Sequence, residues 1–356
     1  MALRRTLGLA AASLALAACA APGASPSPTT VASPTAPVPT AAAPTATAGP
    51  TATAVPTATA PPTDVPTTAP TAALTLPPPN PACDRENLTL RNPGRLTLST
   101  DTPAFPPWWG GDPDTQYPNE PEGGSGWNTS DPYSMEGFEG ATAYAIAEAM
   151  GFGPDEVDWI QNAVFAQAFA PGEKAFDFHM AQISITPERA EAVDFTDPYF
   201  DSNQSLLAMT PHEITGATSI AELKDFKLGA AADTTSFALI EDVIVPNVEP
   251  MVYPDNDTAR TALVNGQIHG LIVDLSTAFF MRDGQIEDFD TPEPEATIVG
   301  QFGPPAQPDF VGAVLELDSP LTDCVNHAIA TIKADGTHQA ILDEWINTGE
   351  DIPFIE

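Results

Sequence analysis

Basic residues are scarce in this chain of 356 residues, because 12 Lys and Arg stand against 48 Asp and Glu, for a formal net charge of −36. Nucleic-acid binding needs clustered Lys and Arg that neutralise phosphates, and docking on anionic lipid needs polybasic segments. The composition therefore argues against a nucleic-acid partner and against electrostatic attachment to a membrane. Only Arg4, Arg5 and Asp64 among the charged residues precede Cys83, so the acid excess belongs to residues 83–356.

Histidine and cysteine are also few, with five and three residues. The histidines are scattered and lack the spacing of metal ligands. The chain also lacks a Gly-rich loop that would cradle phosphate and a convincing pair of nucleophile and base. We therefore expect no metal, no cofactor and no catalytic residues.

Long apolar runs are missing as well, and the run at residues 7–18 is too short for a permanent membrane helix. It follows Arg4 and Arg5, as in an export signal, and ends at Cys19 in the sequence LAAC. This ending resembles a bacterial lipobox, so residues 1–19 are predicted to be a lipoprotein signal peptide with Cys19 as the lipid anchor. Ordinary cleavage near Ala18 or Ala21 is the alternative, and the paired arginines leave the export route open.

Residues 20–82 consist almost entirely of Ala, Pro, Thr, Ser and Val. Such a segment cannot bury enough apolar surface to offset its ordering entropy, and Pro-rich chains are extended. We predict a disordered linker that holds the folded part away from the membrane, the alternative being a neutral low-complexity tail.

Two cysteines, Cys83 and Cys324, remain in the folded part. In an exported protein such a pair usually forms a disulfide, which here would join the start of the domain to a helix near its end. Two unrelated buried thiols are the alternative.

The apolar pattern over residues 83–356 alternates between strands and helices. We expect strands at 96–99, 157–160, 176–185, 205–209, 227–232 and 270–274, and helices at 138–150, 258–265, 320–334 and 338–346. Asp257 is expected to cap helix 258–265, and a long Trp-, Gly- and Pro-rich loop covers residues 103–136. This order predicts an α/β architecture with largely parallel sheets, which bind ligands at the carboxyl ends of their strands.

Several segments resemble the bacterial extracellular solute-binding proteins of family 3, the amino-acid receptors of ABC importers. The longest match reads DFHMAQISITPER at 177–189 and continues as VDFTDPYF at 193–200. Shorter matches lie at 137–139, 227–235, 265–274 and 333–337. The resemblance covers roughly residues 88–350 and implies a two-lobed periplasmic-binding-protein fold of type II. Lobe one is expected at 84–204 plus 310–356 and lobe two at 205–309, with crossings near 203–210 and 305–312.

A free amino acid carries a carboxylate and an ammonium on one carbon, and a pocket must neutralise both. An Arg fork suits the carboxylate through two parallel charge-assisted hydrogen bonds. The resemblance assigns the carboxylate to Arg189, Ser184 and Thr234, with Thr235 beside them, and the ammonium to Asp274. The alternatives are a surface ion pair for Arg189, and a strand-end cap or a link to Arg282 for Asp274.

Aromatic side chains close such a site, and Phe105 and Phe165 lie where the family has them, with Trp108 and Trp109 nearby. Packing within the lobe is the alternative for each of these residues. The sequence also departs from the family. Gln182 replaces a small residue and is expected to project into the pocket. Asp233 replaces a Gly, which puts the backbone there in doubt, and His269 replaces a frequent Asp.

These features together predict a tethered receptor, a monomer, that binds an amino acid and docks on an ABC permease. The scarcity of bases favours a neutral or cationic amino acid over an acidic one. Two rivals are an enzyme resembling dehydratases of prephenate-like acids, and a sensor subunit that acts through a partner.

Overall fold

The computed structural model describes residues 75–124, 126–285, 295–303 and 308–356. The predicted signal peptide with Cys19, and the linker up to residue 74, lie outside the described residues. Residues 75–80 have no regular structure, and Pro81–Cys83 form a short 3-10 turn.

Thirteen strands and eight helices are formed by the described residues. The strands are β1 Leu96–Asp101, β2 Val157–Asn162, β3 Phe178–His179, β4 Val193–Phe195, β5 Phe200–Ser202, β6 Gln204–Thr210, β7 Leu228–Ala231, β8 Met251–Tyr253, β9 Gly270–Asp274, β10 Glu295–Phe302, β11 Asp309–Val311, β12 Val314–Glu316 and β13 Phe354–Ile355. The helices are α1 Phe138–Ala149, α2 Pro187–Ala190, α3 Ile220–Leu223, α4 Thr235–Ala238, α5 Asn256–Val264, α6 Leu275–Phe280, α7 Thr322–Ala334 and α8 Thr337–Trp345. Two helices continue as wider turns, α4 through Leu239–Ile244 and α6 through Met281–Gln285.

The strands build one sheet for each lobe. The first has the order β2-β1-β3-β12-β4, and α1, α7 and α8 cover it with apolar side chains. The second has the order β13-β10-β6-β9-β7-β8 and carries separate apolar clusters, with α5 and α6 in one and α3 and α4 in the other. The chain therefore has the expected two-lobed α/β fold.

Two short strands carry the chain between the lobes. β5 and β11 pair antiparallel, with Phe200 opposite Val311 and Ser202 opposite Asp309. They lie close to the crossings that the sequence predicts. Because β5 is separated from β6 only by Asn203, the first crossing leads straight into the second sheet.

The sheets are mixed, although largely parallel sheets were expected. β6 is antiparallel to both β9 and β10, and β12 is antiparallel to β3 and β4. These strands directly precede or follow the crossings, where the chain enters a sheet from the other lobe instead of returning through a helix. The apolar pattern encodes burial but carries no information on strand direction.

The strand expected at 176–185 is shorter and interrupted. Only Phe178–His179 pair as β3, and Gln182 has a φ of +52° that breaks the extended conformation. Ser184 then makes a single antiparallel bridge to Val311. The apolar run is therefore a buried segment that bends at Gln182, near its carboxyl end.

Helix α5 starts earlier than expected, with Asp255 as its cap in place of Asp257. The Asp255 carboxylate accepts the backbone N–H of Thr258 at 2.7 Å, and Asp257 forms an ion pair with Arg260. Asp is preferred both at the cap and in the first turn of a helix, so the sequence alone did not show which of the two residues caps α5.

Residues 310–356 were all expected in lobe one, but the last of them pack on lobe two. β13 pairs with β10, and Ile352 and Ile355 are buried in the clusters of the second sheet. A two-residue strand gives almost no periodic signal, which is why the sequence did not reveal it.

Cys83 and Cys324 form a disulfide in the structure. It joins the turn at Pro81–Cys83 to α7 of lobe one, as predicted. A covalent link across 241 residues of sequence removes conformational entropy from the unfolded chain.

Candidate functional site

A cavity of about 410 Å³ lies between the two lobes, in the size range of small-molecule sites. It is lined by the ends of strands from both sheets, by the crossing strands and by the loop that follows β1. The structure brings all eight predicted ligand residues to this cavity: Phe105, Phe165, Gln182, Ser184, Arg189, Thr234, Thr235 and Asp274.

Arg189 lies on α2, a one-turn helix that Thr186 caps and Pro187 begins. Its guanidinium donates to the carbonyl of Ser184 at 2.8 Å and to the carbonyl of Asp233 at 2.7 Å. The two acceptors come from different lobes, so the side chain bridges the cleft. Two of its five N–H groups are thereby oriented by carbonyls, while the others are available to a carboxylate.

The Arg189 guanidinium lies over aromatic rings, at 4.4 Å from the centroid of Phe169 and 5.6 Å from that of Phe165. Cation–π contacts of this kind hold an Arg in place without consuming its hydrogen bonds. Burial lowers the pKa of Arg189, and the neighbouring Asp309 opposes that effect. Arg189 remains a cation at every physiological pH.

Hydroxyl and amide groups link the lobes beside Arg189. The Ser184 and Thr235 hydroxyl oxygens are 3.3 Å apart, and Thr235 donates to Asp309 at 2.6 Å. Gln204 donates to the same Asp309 oxygen at 2.7 Å and accepts from Ser236 at 2.6 Å. This network joins the start of α4 to the first residue of β6 and to the crossing strand β11.

The turn before α4 keeps the conformation that a Gly would favour. Asp233 has a φ of +60°, so the backbone is left-handed here although Asp stands where the family has Gly. In this conformation the Asp233 carbonyl accepts a hydrogen bond from Arg189. Thr234 then caps α4, since its hydroxyl accepts from the N–H of Phe237 at 3.2 Å and donates to Ala231 at 2.7 Å.

Asp274 ends β9 and caps α6, where it accepts the N–H of Thr277 at 3.0 Å. Burial raises its pKa to about 6, and the nearby Asp309 contributes to that rise. The alternative link to Arg282 is absent, because Arg282 pairs with Asp283 and Glu350. Asp274 is therefore both a cap and a carboxylate that faces the cavity.

Gln182 lines the cavity, but its amide is held by Glu139 beneath it. Glu139 is fully buried and accepts the backbone N–H of Gln182 at 2.7 Å, together with the Gln182 amide and the Tyr199 hydroxyl. Burial raises the pKa of Glu139 to about 7, and these hydrogen bonds oppose the rise. The large amide therefore belongs to a buried network at the floor of the cavity.

Asp101 is a further cavity residue, which the sequence reasoning missed. It accepts from the Asn162 amide at 2.7 Å, and its carboxylate lies 3.6 Å from Nε2 of the buried His179. Burial raises the pKa of Asp101 to about 7 and lowers that of His179 to about 3, so the imidazole is neutral. An acidic residue at the end of a buried strand was the signal that could have identified Asp101.

Aromatic residues that follow β1 and β2 form part of the cavity wall. Phe105 and Phe165 are partly exposed to it, whereas Trp108 and Trp109 are 1% exposed. Trp108 packs edge-on against Phe138 and Phe200, with ring centroids 5.9 and 5.3 Å apart. The tryptophans are thus mainly core residues of lobe one that reach the cavity at their edges.

The cavity wall is acidic. Among the described residues that line it, Arg189 is the only Lys or Arg, and six are Asp: Asp101, Asp233, Asp255, Asp257, Asp274 and Asp309. Asp309 and Gln204 were also missed from sequence. Their place in the site depends on the pairing of β5 with β11, for which the sequence carries no local signal.

In the part of the chain that the structure describes, no three His, Cys, Asp or Glu side chains are grouped so that they could hold a metal ion. Within the same residues, no helix has the length and apolar character needed to cross a bilayer.

The model of the family described as bacterial extracellular solute-binding proteins, family 3, matches residues 127–348. Among curated proteins, the chain is 28% identical to an arginine-binding protein of an ABC transporter from Escherichia coli, over 48% of this chain and 67% of that protein. It is 27% identical to a glutamate-binding protein from Corynebacterium glutamicum, over 60% of this chain and 69% of that protein.

A similar solved structure is an ancestral amino-acid-binding protein described as a precursor of cyclohexadienyl dehydratase. Its TM-score is 0.55 at 22% sequence identity, and the match covers 71% of this chain and 95% of the other. At this identity the likeness concerns the fold alone.

Proposed function

The chain belongs to the bacterial extracellular solute-binding proteins of family 3, and from this premise we propose that it captures a free amino acid between its lobes and delivers it to an ABC importer. The observation that carries the proposal is the placement of Arg189 and Asp274 at one cavity, each on a different lobe. The relatives named as arginine- and glutamate-binding proteins support an amino acid as the ligand.

In this proposal the α-carboxylate binds the free N–H groups of Arg189, with Ser184, Thr234 and Thr235 beside it. The α-ammonium binds Asp274, whose burial makes an isolated charge costly and a paired charge favourable. Contacts with both lobes at once favour the closed arrangement, because a ligand shifts an equilibrium only through interactions that differ between its states.

The acidic wall supports a neutral or cationic amino acid over an acidic one. A ligand with a second carboxylate would meet the six Asp side chains with Arg189 already committed to its α-carboxylate. The carboxylates of Asp101, Asp255 and Asp257 instead complement a ligand with a distal hydrogen-bond donor or cation.

A thermal-shift screen of the common amino acids tests this proposal. A ligand at 100 times its dissociation constant stabilises the protein by about 2.7 kcal/mol, which is a readily measured rise in Tm. We expect the largest shifts with arginine, lysine or glutamine and none with glutamate. The absence of any shift with all amino acids contradicts the proposal.

A dehydratase-like enzyme is the second candidate function, and one observation favours it. Asp101 and Asp274 have pKa values of about 7 and 6, which suit acid–base chemistry near neutral pH. The acidic wall argues against it, since a prephenate-like substrate is itself a dianion. Incubation of purified protein with prephenate, followed by product analysis, decides between the two.

We also propose that Cys19 carries the lipid and anchors the protein on the outer face of the cytoplasmic membrane, with residues 20–82 as the spacer. The support is the sequence LAAC that ends the apolar run. Labelled palmitate incorporated by cells that express the wild type, and not by cells that express Cys19→Ala, is the expected result. We expect the folded part to be a monomer by light scattering.

A further inference from the structure

A hydrogen bond joins two fully buried side chains that belong to different lobes. The indole N–H of Trp108 donates to the hydroxyl of Thr277 at 2.9 Å, and the two residues are 1% and 0% exposed. Trp108 lies in the loop between β1 and α1 of lobe one, whereas Thr277 lies in the first turn of α6 in lobe two.

Trp108 is held firmly on the side of lobe one. Its carbonyl accepts the N–H groups of Glu139 and Gly140 at 2.9 and 3.2 Å and so caps α1. Its ring packs edge-on against Phe138 of α1 and Phe200 of the crossing strand β5. The indole N–H therefore points to lobe two from a site that the core of lobe one fixes.

Thr277 is linked in turn to the proposed ammonium site. Its backbone N–H donates to the carboxylate of Asp274 at 3.0 Å, while its hydroxyl accepts from the indole of Trp108. Movement of α6 away from Trp108 would thus move Asp274 as well. The contact ties the position of Asp274 to lobe one.

The geometry points to a role for Trp108 that the match to the family model does not cover, because that match begins at residue 127. We propose that Trp108 is a positioning residue for ligand binding, which holds α6 and Asp274 in the closed arrangement through Thr277. This proposal rests on the proposed function of the cavity.

The physical reason is that a buried polar group without a partner costs more free energy than a buried hydrogen bond contributes. When the lobes separate, water can satisfy both the indole N–H and the Thr277 hydroxyl. When they close, the indole N–H is buried against the Thr277 hydroxyl, so removal of that hydroxyl leaves the N–H buried without an acceptor among the described residues. Such a removal penalises the closed state selectively, and the apparent affinity falls with the population of that state.

Thr277→Val removes the acceptor of the indole N–H while it keeps the side-chain shape and the backbone N–H that Asp274 accepts. Because it also removes a side-chain hydrogen bond to Asp274, Trp108→Phe, which spares that bond, is measured beside it. With L-arginine and L-glutamine as probes, we expect the dissociation constant and the dissociation rate to rise about fivefold to tenfold. Thr277→Ser retains a hydroxyl and is expected to bind within twofold of the wild type.

Thr142→Val is the matched control. The Thr142 hydroxyl is buried in α1 and has no hydrogen-bond partner among the described residues, so its loss should leave the dissociation constant unchanged. The double variant Trp108→Phe with Thr277→Val should bind no more weakly than the weaker single variant, because both changes remove the same bond.

Three outcomes overturn the role of Trp108 when the wild type binds a probe. They are an unchanged dissociation constant in Thr277→Val, a loss of affinity in Thr277→Ser equal to that in Thr277→Val, or full additivity of the two affinity losses in the double variant.

If the wild type binds neither probe, the proposed ligand class fails, and small-angle scattering tests the Trp108–Thr277 contact alone. A larger radius of gyration for ligand-free Thr277→Val than for the wild type supports it, and equal radii overturn it.

Discussion

The two walls of the cavity are built in different ways. On lobe two, Thr234, Asp255 and Asp274 are the capping residues of three successive helices, and each is fixed by a backbone N–H three residues further along. On lobe one, Arg189 is oriented by carbonyls and by the rings of Phe165 and Phe169, and Gln182 by the buried Glu139.

The two walls differ in the sequence separation of the residues that hold their polar groups in place. Lobe two places its polar groups through local contacts, so each group keeps its position within that lobe as long as its own helix forms. Lobe one places its groups through contacts between distant segments, so their positions depend on the packed core. We therefore expect lobe-one substitutions to alter both binding and stability, and lobe-two substitutions to alter mainly binding.

The largest expected effect is that of Arg189→Ala on lobe one. Loss of the charge-assisted hydrogen bonds to a carboxylate should raise the dissociation constant several hundredfold, about 3–4 kcal/mol. Calorimetric titration with L-arginine or L-glutamine measures it. Arg95→Ala, which removes an ion pair with Asp158 on the same lobe, is the control and should bind normally. Unchanged affinity in Arg189→Ala would remove Arg189 from the site.

Glu139→Gln tests the buried network under lobe one. The pKa of Glu139 rises from 4.5 in the unfolded chain to about 7 in the fold, so its protonated form favours folding below pH 4.5. That contribution is lost as the pH rises through 7. The stability of Glu139→Gln relative to the wild type should therefore increase by about 3 kcal/mol between pH 4 and pH 8. Urea unfolding at both pH values measures this difference, and a constant difference contradicts the raised pKa.

Asp274→Asn is the corresponding change on lobe two. An Asn oxygen can still accept the N–H of Thr277, so the cap of α6 should persist while the charge is lost. We expect the dissociation constant to rise about thirtyfold, near 2 kcal/mol, with little loss of thermal stability. A large fall in Tm would show that this wall is not built locally and would remove the distinction between the lobes.

The smallest expected effect is that of pH on affinity. With a pKa of about 6, the carboxylate of Asp274 is ionised above that value and becomes protonated as the pH falls through it. The affinity for an ammonium should be full near pH 8 and about tenfold lower at pH 5. Asp274→Asn should lose this dependence. A wild-type dissociation constant that does not change with pH argues against Asp274 as the ammonium partner.

The same contrast explains what the sequence predicted. The strand that ends at Asp274 and the Thr pair at the start of α4 are local patterns, and both were located within a residue or two. Gln204 and Asp309 were missed because their meeting depends on the antiparallel pairing of β5 and β11. Asp101 was missed although it ends a buried strand, since its partners Asn162 and His179 come from distant segments.

The C-terminal strand β13 affects how the two lobes can move relative to each other. The helix α8 packs on lobe one through Trp345 and Ile346, whereas Ile352 and Ile355 are buried in lobe two. Besides the two crossings at β5 and β11, the described residues therefore show a further pass between the lobes after α8, and the ion pair of Arg282 with Glu350 fastens this third pass to lobe two. Two antiparallel strands side by side act as one hinge about which a lobe can both bend and twist. The third pass ends beside this hinge, since the Gln301 amide donates to the carbonyl of Ile352 and accepts from the amide of Asn203, both at 2.7 Å. A third stretch of chain beside the pair stiffens the hinge against twisting, so we expect bending to be the main motion that opens the cleft.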